Sequence, residues 1–188
     1  MSDGIVVAAR ISAVIVAFGA LTSCATLDKE ECASVDWQQL GRSDGAAGYG
    51  AGRVDSHRSA CAEHKLPVDG QQWMSGWQEG IRLYCTPQNG LTQGIEGRSY
   101  SYSCPPELKA GFEGAYFVAK RVYDARQARD RLGGDLDRLF RQLRDAKSAE
   151  EKRPIEASIA SKRSELFVAE SRLRDAERDY DRYLYTNR

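Results

Sequence analysis

Hydrophobic residues recur every three or four positions along the second half of the chain. Two such series are present, over residues 118–143 and 155–183, and each contains one charged member, Arg129 and Lys162 respectively. Alternating steps of four and three form a heptad pattern, which is typical of helices that pack along one seam. The seam positions are Val118, Val122, Ala125, Arg129, Leu132, Leu136, Leu139 and Leu143, then Ile155, Ile159, Lys162, Leu166, Ala169, Leu173, Ala176, Tyr180 and Tyr183.

The two series are mirror images of each other about residue 149. This symmetry predicts an antiparallel helical hairpin, a coiled coil, over residues 107–188, in which Leu139 faces Ile159. Near the centre, Ser148 is followed three residues later by a glutamate, the spacing of a capping box at a helix start. A helix of about 35 residues is roughly 50 Å long, so the hairpin would be an extended structure.

Glycine recurs with helical spacing in the first half of the chain. A stripe of glycines lets two helix backbones approach closely, which would offset the roughly 1 kcal/mol that each glycine costs in a helix. A flexible glycine-rich loop is the alternative interpretation. We therefore predict a small helical domain over residues 34–106 and an all-α fold for the whole chain. The glycines are Gly41, Gly45, Gly48, Gly52, Gly76, Gly80, Gly90, Gly94 and Gly97, and the bulky residues predicted to face them are Trp37, Trp73, Trp77 and Tyr84.

The N-terminal segment has the pattern of an export signal. An apolar run at residues 11–21 follows Arg10, and it is about half as long as a membrane-spanning helix, which fits a signal peptide over residues 1–23. The run ends in Leu-Thr-Ser-Cys24, which resembles the bacterial lipobox. This resemblance implies cleavage before Cys24, diacylglycerol on its thiol and a fatty acid such as palmitate on its amine. An ordinary buried or secretory cysteine is the alternative.

Lipid on Cys24 would attach the protein to a membrane through residues 24–33, a linker. By resemblance to lipoprotein sorting rules, Ala25 at the next position favours the outer membrane, with the protein facing the periplasm. The function expected from these features is that of a lipid-anchored envelope lipoprotein with a structural or protein-interaction role. Its expected partner is an envelope protein or peptidoglycan.

Four cysteines remain once Cys24 is assigned to lipid. In an exported chain they imply two disulfides, for which three connectivities exist. A zinc site is the alternative, but the sequence contains no C-x-x-C pair. If consecutive helices run up, down and up again, the first two cysteines meet at one end and the last two at the other. We therefore predict that Cys32 pairs with Cys61 and that Cys85 pairs with Cys104.

Residues of the first half also resemble a known family. Their combined spacing is similar to that of the bacterial lipoproteins grouped as domain of unknown function 2799, over residues 32 to about 118. The resemblance implies a small helical, cysteine-containing envelope domain and brings no activity with it. The residues that carry it are Cys32, Asp36, Trp37, Gly41, Asp44, Gly45, Gly48, His57, Cys61, Gly76, Gly80, Tyr84, Cys85, Thr86, Pro87, Asn89, Gly90, Gly94, Gly97, Tyr100, Cys104 and Pro105.

Charge and motifs indicate no catalytic, metal or cofactor site. The chain has 27 basic and 27 acidic side chains, so a nucleic-acid partner is not expected. His57 and His64 are seven residues apart, and on one helix their rings would lie about 10 Å apart, too far to share one metal ion. We therefore expect a protein that is not an enzyme. The alternative is a small periplasmic hydrolase or sugar-binding module whose pocket contains His57 and uses Trp73, Trp77, Tyr84 and Asp44.

Overall fold

The computed structural model describes residues 26–187, which form helices joined by short connections. No strand is present in that range, so the predicted all-α fold is confirmed. The predicted signal peptide and Cys24 lie outside the described residues. Within those residues, no helix combines the length and the apolar character needed to cross a membrane. The helices are α1 (Lys29–Ser34), α2 (Trp37–Ala46), α3 (Arg53–Ala62), α4 (Gly70–Tyr84), α5 (Pro87–Ile95), α6 (Pro106–Asp145) and α7 (Ala149–Thr186).

Helices α2 and α4 pack backbone against backbone through their glycines. A Cβ atom at Gly41 would lie 1.9 Å from the carbonyl oxygen of Trp73, and one at Gly76 would lie 1.8 Å from that of Gln38. No side chain larger than hydrogen fits at such distances. The glycine stripe therefore mediates helix packing, and the flexible-loop interpretation is wrong for α2 and α4.

Helices α5 and α6 repeat this arrangement. A Cβ atom at Gly90 would lie 2.5 Å from the carbonyl oxygen of Phe112, and one at Gly94 would lie 2.4 Å from that of Tyr116. The glycines in and just after α2 have the same spacing as those in and just after α5, and the aromatic residues that they contact also share one spacing. Each set ends in a glycine with positive φ under a tyrosine ring, a conformation that only glycine adopts readily. The equivalent residues are Gly41, Gly45 and Gly48 with Gly90, Gly94 and Gly97, and Trp73, Trp77 and Tyr84 with Phe112, Tyr116 and Tyr123.

The core of the disulfide-linked domain includes the first turns of α6. Phe112 is fully buried, and Tyr116 is buried with it in the same cluster as Trp73 and Ile81. The predicted border at residue 106 marks where α6 begins, but the packing continues several turns further. The helix that starts the hairpin is therefore also a core helix of the domain.

Both predicted disulfides are present. Cys32 bonds to Cys61 with the Cα atoms 5.6 Å apart, and Cys85 bonds to Cys104 with the Cα atoms 5.7 Å apart. The first joins α1 to α3, and the second joins the end of α4 to the segment before α6. The zinc alternative is therefore wrong, because these four sulfur atoms are paired with each other.

The remainder of α6 packs antiparallel to α7 as a hairpin. Every predicted seam position on both helices is buried or half-buried, including the charged members Arg129 and Lys162. The connection is centred on Lys147, two residues before the predicted centre. Ser148 caps α7 as predicted by accepting from the backbone nitrogen of Glu151. The Glu151 carboxylate accepts from the backbone nitrogen of Lys147 instead of Ser148, so the capping box is incomplete.

We expect Gly76→Ala to lower the free energy of unfolding by about 2–3 kcal/mol, because the methyl group would push α2 away from α4. The matched control is Gly114→Ala, on the exposed face of α6, where nothing lies within 4 Å of a Cβ atom. That change should raise the free energy of unfolding by roughly 0.5–1 kcal/mol, because alanine is favoured over glycine in a helix. Urea denaturation of both variants measures the difference, and equal effects would contradict the packing described above.

The pairing of individual seam residues stays a prediction, and introduced cysteines can test it. Cysteines at positions 139 and 159 should oxidise to each other within one chain, since facing seam positions lie within the Cα separation of about 4.4–6.8 Å that a disulfide needs. Cysteines at 139 and 166 are about two turns out of register and should not. Non-reducing mass spectrometry distinguishes the pairs; a bond found only between chains would show that the seam is intermolecular.

Candidate functional site

Two polar side chains, Asp44 and His57, are buried within the described part of the chain. Asp44 lies on α2 next to Gly45, so it shares the helix edge that is pressed against α4. His57 lies on α3 and is only 1% exposed. A buried polar group must be hydrogen-bonded to be tolerated, and these two satisfy each other.

The hydrogen bonds form one continuous network. Oδ2 of Asp44 lies 2.9 Å from Nε2 of His57 and accepts a hydrogen bond of 2.9 Å from Nε1 of Trp73. Nδ1 of His57 lies 2.9 Å from the hydroxyl oxygen of Thr26. Because Asp44 accepts at Nε2, the neutral imidazole carries its hydrogen there, and Nδ1 accepts from the Thr26 hydroxyl. The network joins the first described residue of the chain to α2, α3 and α4.

Two further contacts fix the segment at residues 26–32, here called the strap, to the domain, and one helix cap orders the strap itself. Leu27 is buried in a small cluster with the first disulfide and Leu66. Asp28 caps α1 by accepting from the backbone nitrogen of Glu31. Cys32 then bonds covalently to Cys61 of α3. The strap therefore attaches the start of the described chain firmly to the body of the domain.

The enclosed position of the network limits what it can do chemically. Both ring nitrogens of His57 have partners, and neither nitrogen faces solvent or a groove that a substrate could enter. A general base must reach the proton that it removes, and this imidazole would first have to lose a partner. The arrangement suits a structural clamp.

The residues proposed for a hydrolytic or sugar-binding pocket do not form a polar cleft around His57. Asp44, His57 and Trp73 meet in the network, but Trp77 donates to the carbonyl oxygen of Tyr49 instead. His64 is exposed and lies beyond the end of α3, so the two histidines do not lie on one helix. Among residues 26–187, no group of three or more histidine, cysteine or acidic side chains is placed to hold a metal ion.

A cluster of aromatic rings fills the space between the two glycine-packed helix pairs. Tyr84, Tyr100 and Tyr116 surround Phe112, with ring centroids 4.8–6.0 Å from it. Burial raises the pKa of all three tyrosines, and in Tyr84 the proximity of Tyr116 adds to the effect. The Tyr116 hydroxyl donates to the carbonyl oxygen of Arg98 over 2.7 Å. Since the neutral phenols are favoured in the fold, alkaline pH above roughly 10 destabilises it.

Fold and site together define a small glycine-packed helical domain with two disulfides, extended by a long helical hairpin. Residues 36–120 match the model of the family described as protein of unknown function (DUF2799). This match confirms that the glycine and cysteine pattern of the first half resembles domain of unknown function 2799. No curated protein and no solved structure gives a significant match to the chain.

The partner that sequence reasoning missed is Thr26. Its position shortly after Cys24 suggested only a linker, whereas its hydroxyl completes the network at His57. A threonine without periodic neighbours gives no local signal of a contact to a residue 31 positions away. The available sign of docking was Leu27, an apolar residue in a polar stretch, which the structure buries.

We expect Asp44→Ala to lower the free energy of unfolding by about 3 kcal/mol or more, because the N–H groups of His57 and Trp73 would lose their shared acceptor inside the core. Asp55→Ala is the matched control on α3, since Asp55 forms an exposed ion pair with Arg58. The control should cost well under 1 kcal/mol. Chemical denaturation followed by tryptophan fluorescence measures both; a similar small loss in each would contradict the clamp role.

Proposed function

We propose that this protein is a lipid-anchored lipoprotein of the cell envelope with a structural or protein-interaction role. In this proposal, acyl groups on Cys24 hold it in the outer membrane on the periplasmic side. The hairpin then contacts an envelope protein or peptidoglycan. The observation that carries the proposal is the short connection between Cys24 and the fixed strap, which starts at Thr26.

The strap would set the distance between the membrane and the domain. Two residues span at most about 7 Å, so a lipid on Cys24 would hold Thr26 and its partner His57 close to the bilayer surface. A flexible linker would allow the body to move away from the membrane. The Thr26 hydrogen bond, the burial of Leu27 and the disulfide of Cys32 all restrict such movement.

The two disulfides support an exported location. Disulfide bonds form and persist in oxidising compartments such as the bacterial periplasm and are rare in the cytosol. The first bond joins α1 to α3, and the second joins the end of α4 to the segment before α6. The domain would therefore depend on oxidation for part of its stability.

The hairpin supplies a surface at a distance from the anchored domain. Residues 124–145 of α6 continue beyond the domain core, and at 1.5 Å per residue they extend about 33 Å. Charged side chains cover most of this surface, and the aromatic side chain of Phe167 on α7 is 68% exposed. Such a surface suits contact with another macromolecule.

Cys24→Ala tests the proposal in cells. We expect fatty-acid labelling to disappear and the protein to leave the membrane fraction or accumulate as an uncleaved precursor, because the acceptor thiol is absent. The matched control is Thr26→Ala, which removes the hydrogen bond to His57 and leaves Cys24 intact. That variant should keep full labelling; undiminished labelling of Cys24→Ala would refute the anchoring.

A further inference from the structure

One face of the hairpin carries an open groove along the line where α6 and α7 meet. The groove has a volume of about 570 Å³, and its floor consists of small or aliphatic side chains. A second hollow of about 310 Å³ continues it toward the connection between the helices. The floor residues are Ala125, Ala128, Leu132, Val168, Ala169 and Ala176.

The opposite face of the hairpin is closed by large side chains that bridge the two helices. Arg126 forms an ion pair of 2.9 Å with Glu177, and the guanidinium of Arg163 lies 5.4 Å from the ring centroid of Phe140. The groove face has one such bridge near its domain end, the ion pair of 3.6 Å between Arg121 and Asp179, and alanines leave the rest of the space between the helices unfilled. Val168 at its centre remains 45% exposed. The groove face is thus an apolar helical surface without a partner in the monomer.

Charged side chains on α7 beside the groove are placed so that two antiparallel copies of this helix would pair opposite charges. Lys162 and Glu165 lie on one side of Val168 and Ala169, and Arg172 and Asp175 lie at matching distances on the other side. Each of these four residues therefore has a residue of opposite charge at the same distance on the other side of the midpoint between 168 and 169. Two α7 helices that run antiparallel and cross between positions 168 and 169 would therefore place Lys162 opposite Asp175 and Glu165 opposite Arg172, in two symmetric sets.

Helix α6 shows the same arrangement of opposite charges, at the same level of the hairpin. Asp124 and Arg138 border the groove at equal distances from residue 131, next to Leu132, which lines the groove together with Val168. Antiparallel α6 helices would place Asp124 of each copy opposite Arg138 of the other. A single two-fold axis through the middle of the groove satisfies both helices, as a self-complementary interface requires.

We infer that the groove face of the hairpin pairs with the same face of a second copy, antiparallel, to form a four-helix bundle. The alanines allow the facing helices to approach closely, and Leu132 and Val168 of both copies fill the centre. The charged borders favour this orientation, because it places Lys162 opposite Asp175 and Glu165 opposite Arg172 across the interface. The inference does not depend on lipid attachment, since every residue involved lies on α6 or α7.

A cysteine near the proposed axis tests this pairing in the full chain. Val168→Cys should give a dimer on a non-reducing gel after mild oxidation, because the two copies of position 168 lie next to the axis. Adding Arg172→Glu should reduce the amount of cross-linked dimer at least about ten-fold, because the new glutamate would face Glu165 of the second copy, which has the same charge. Adding Glu165→Arg as well should restore it, because the exchanged charges attract again.

Arg174→Cys is the matched control on the outward face of α7, and it should not yield the dimer. Circular dichroism should show unchanged helix content in every variant, so that a lost dimer does not report unfolding. Equal cross-linking at 168 and 174, or a dimer insensitive to Arg172→Glu, would overturn the inference. So would a cross-link from position 168 to a different protein, which would identify the groove as a site for a foreign helix.

Discussion

The contact between the glycine faces of α2 and α4 is the constraint on which the first half of the molecule depends. The two backbones approach so closely that the carbonyl oxygens of Gln38 and Trp73 occupy the space of a missing methyl group. This approach places Asp44 within hydrogen-bonding distance of Trp73 and brings α3 with His57 over the same edge. Backbone contact of this kind replaces the larger hydrophobic core that a short chain cannot build.

The repetition of that contact between α5 and α6 explains why the hairpin is rigidly connected to the domain. Phe112 and Tyr116 occupy in the second helix pair the places that Trp73 and Trp77 occupy in the first. Because α6 continues without a break from this core into the hairpin, no hinge separates the two parts. Force or binding energy applied to the hairpin would therefore act directly on the aromatic cluster around Phe112.

The buried network and the groove have opposite characters. The polar atoms of Asp44, His57, Trp73 and Thr26 are mutually satisfied and enclosed, which suits holding the strap in place. The hairpin leaves apolar surface open and borders it with charges of both signs. An enclosed polar site and an open apolar one are arranged for structure and for association respectively.

Much of the architecture was accessible from the sequence, because helix packing leaves a local periodic record. The heptad series predicted which faces of α6 and α7 would be buried, the glycine spacing predicted close helix contact, and the helix order predicted the pairing of Cys32 with Cys61. Tertiary structure alone decided that α6 belongs to two packing units, that Thr26 docks on His57, and that His64 falls outside α3. These features depend on contacts between distant segments, and such contacts are selected by the fit of surfaces that no local period encodes.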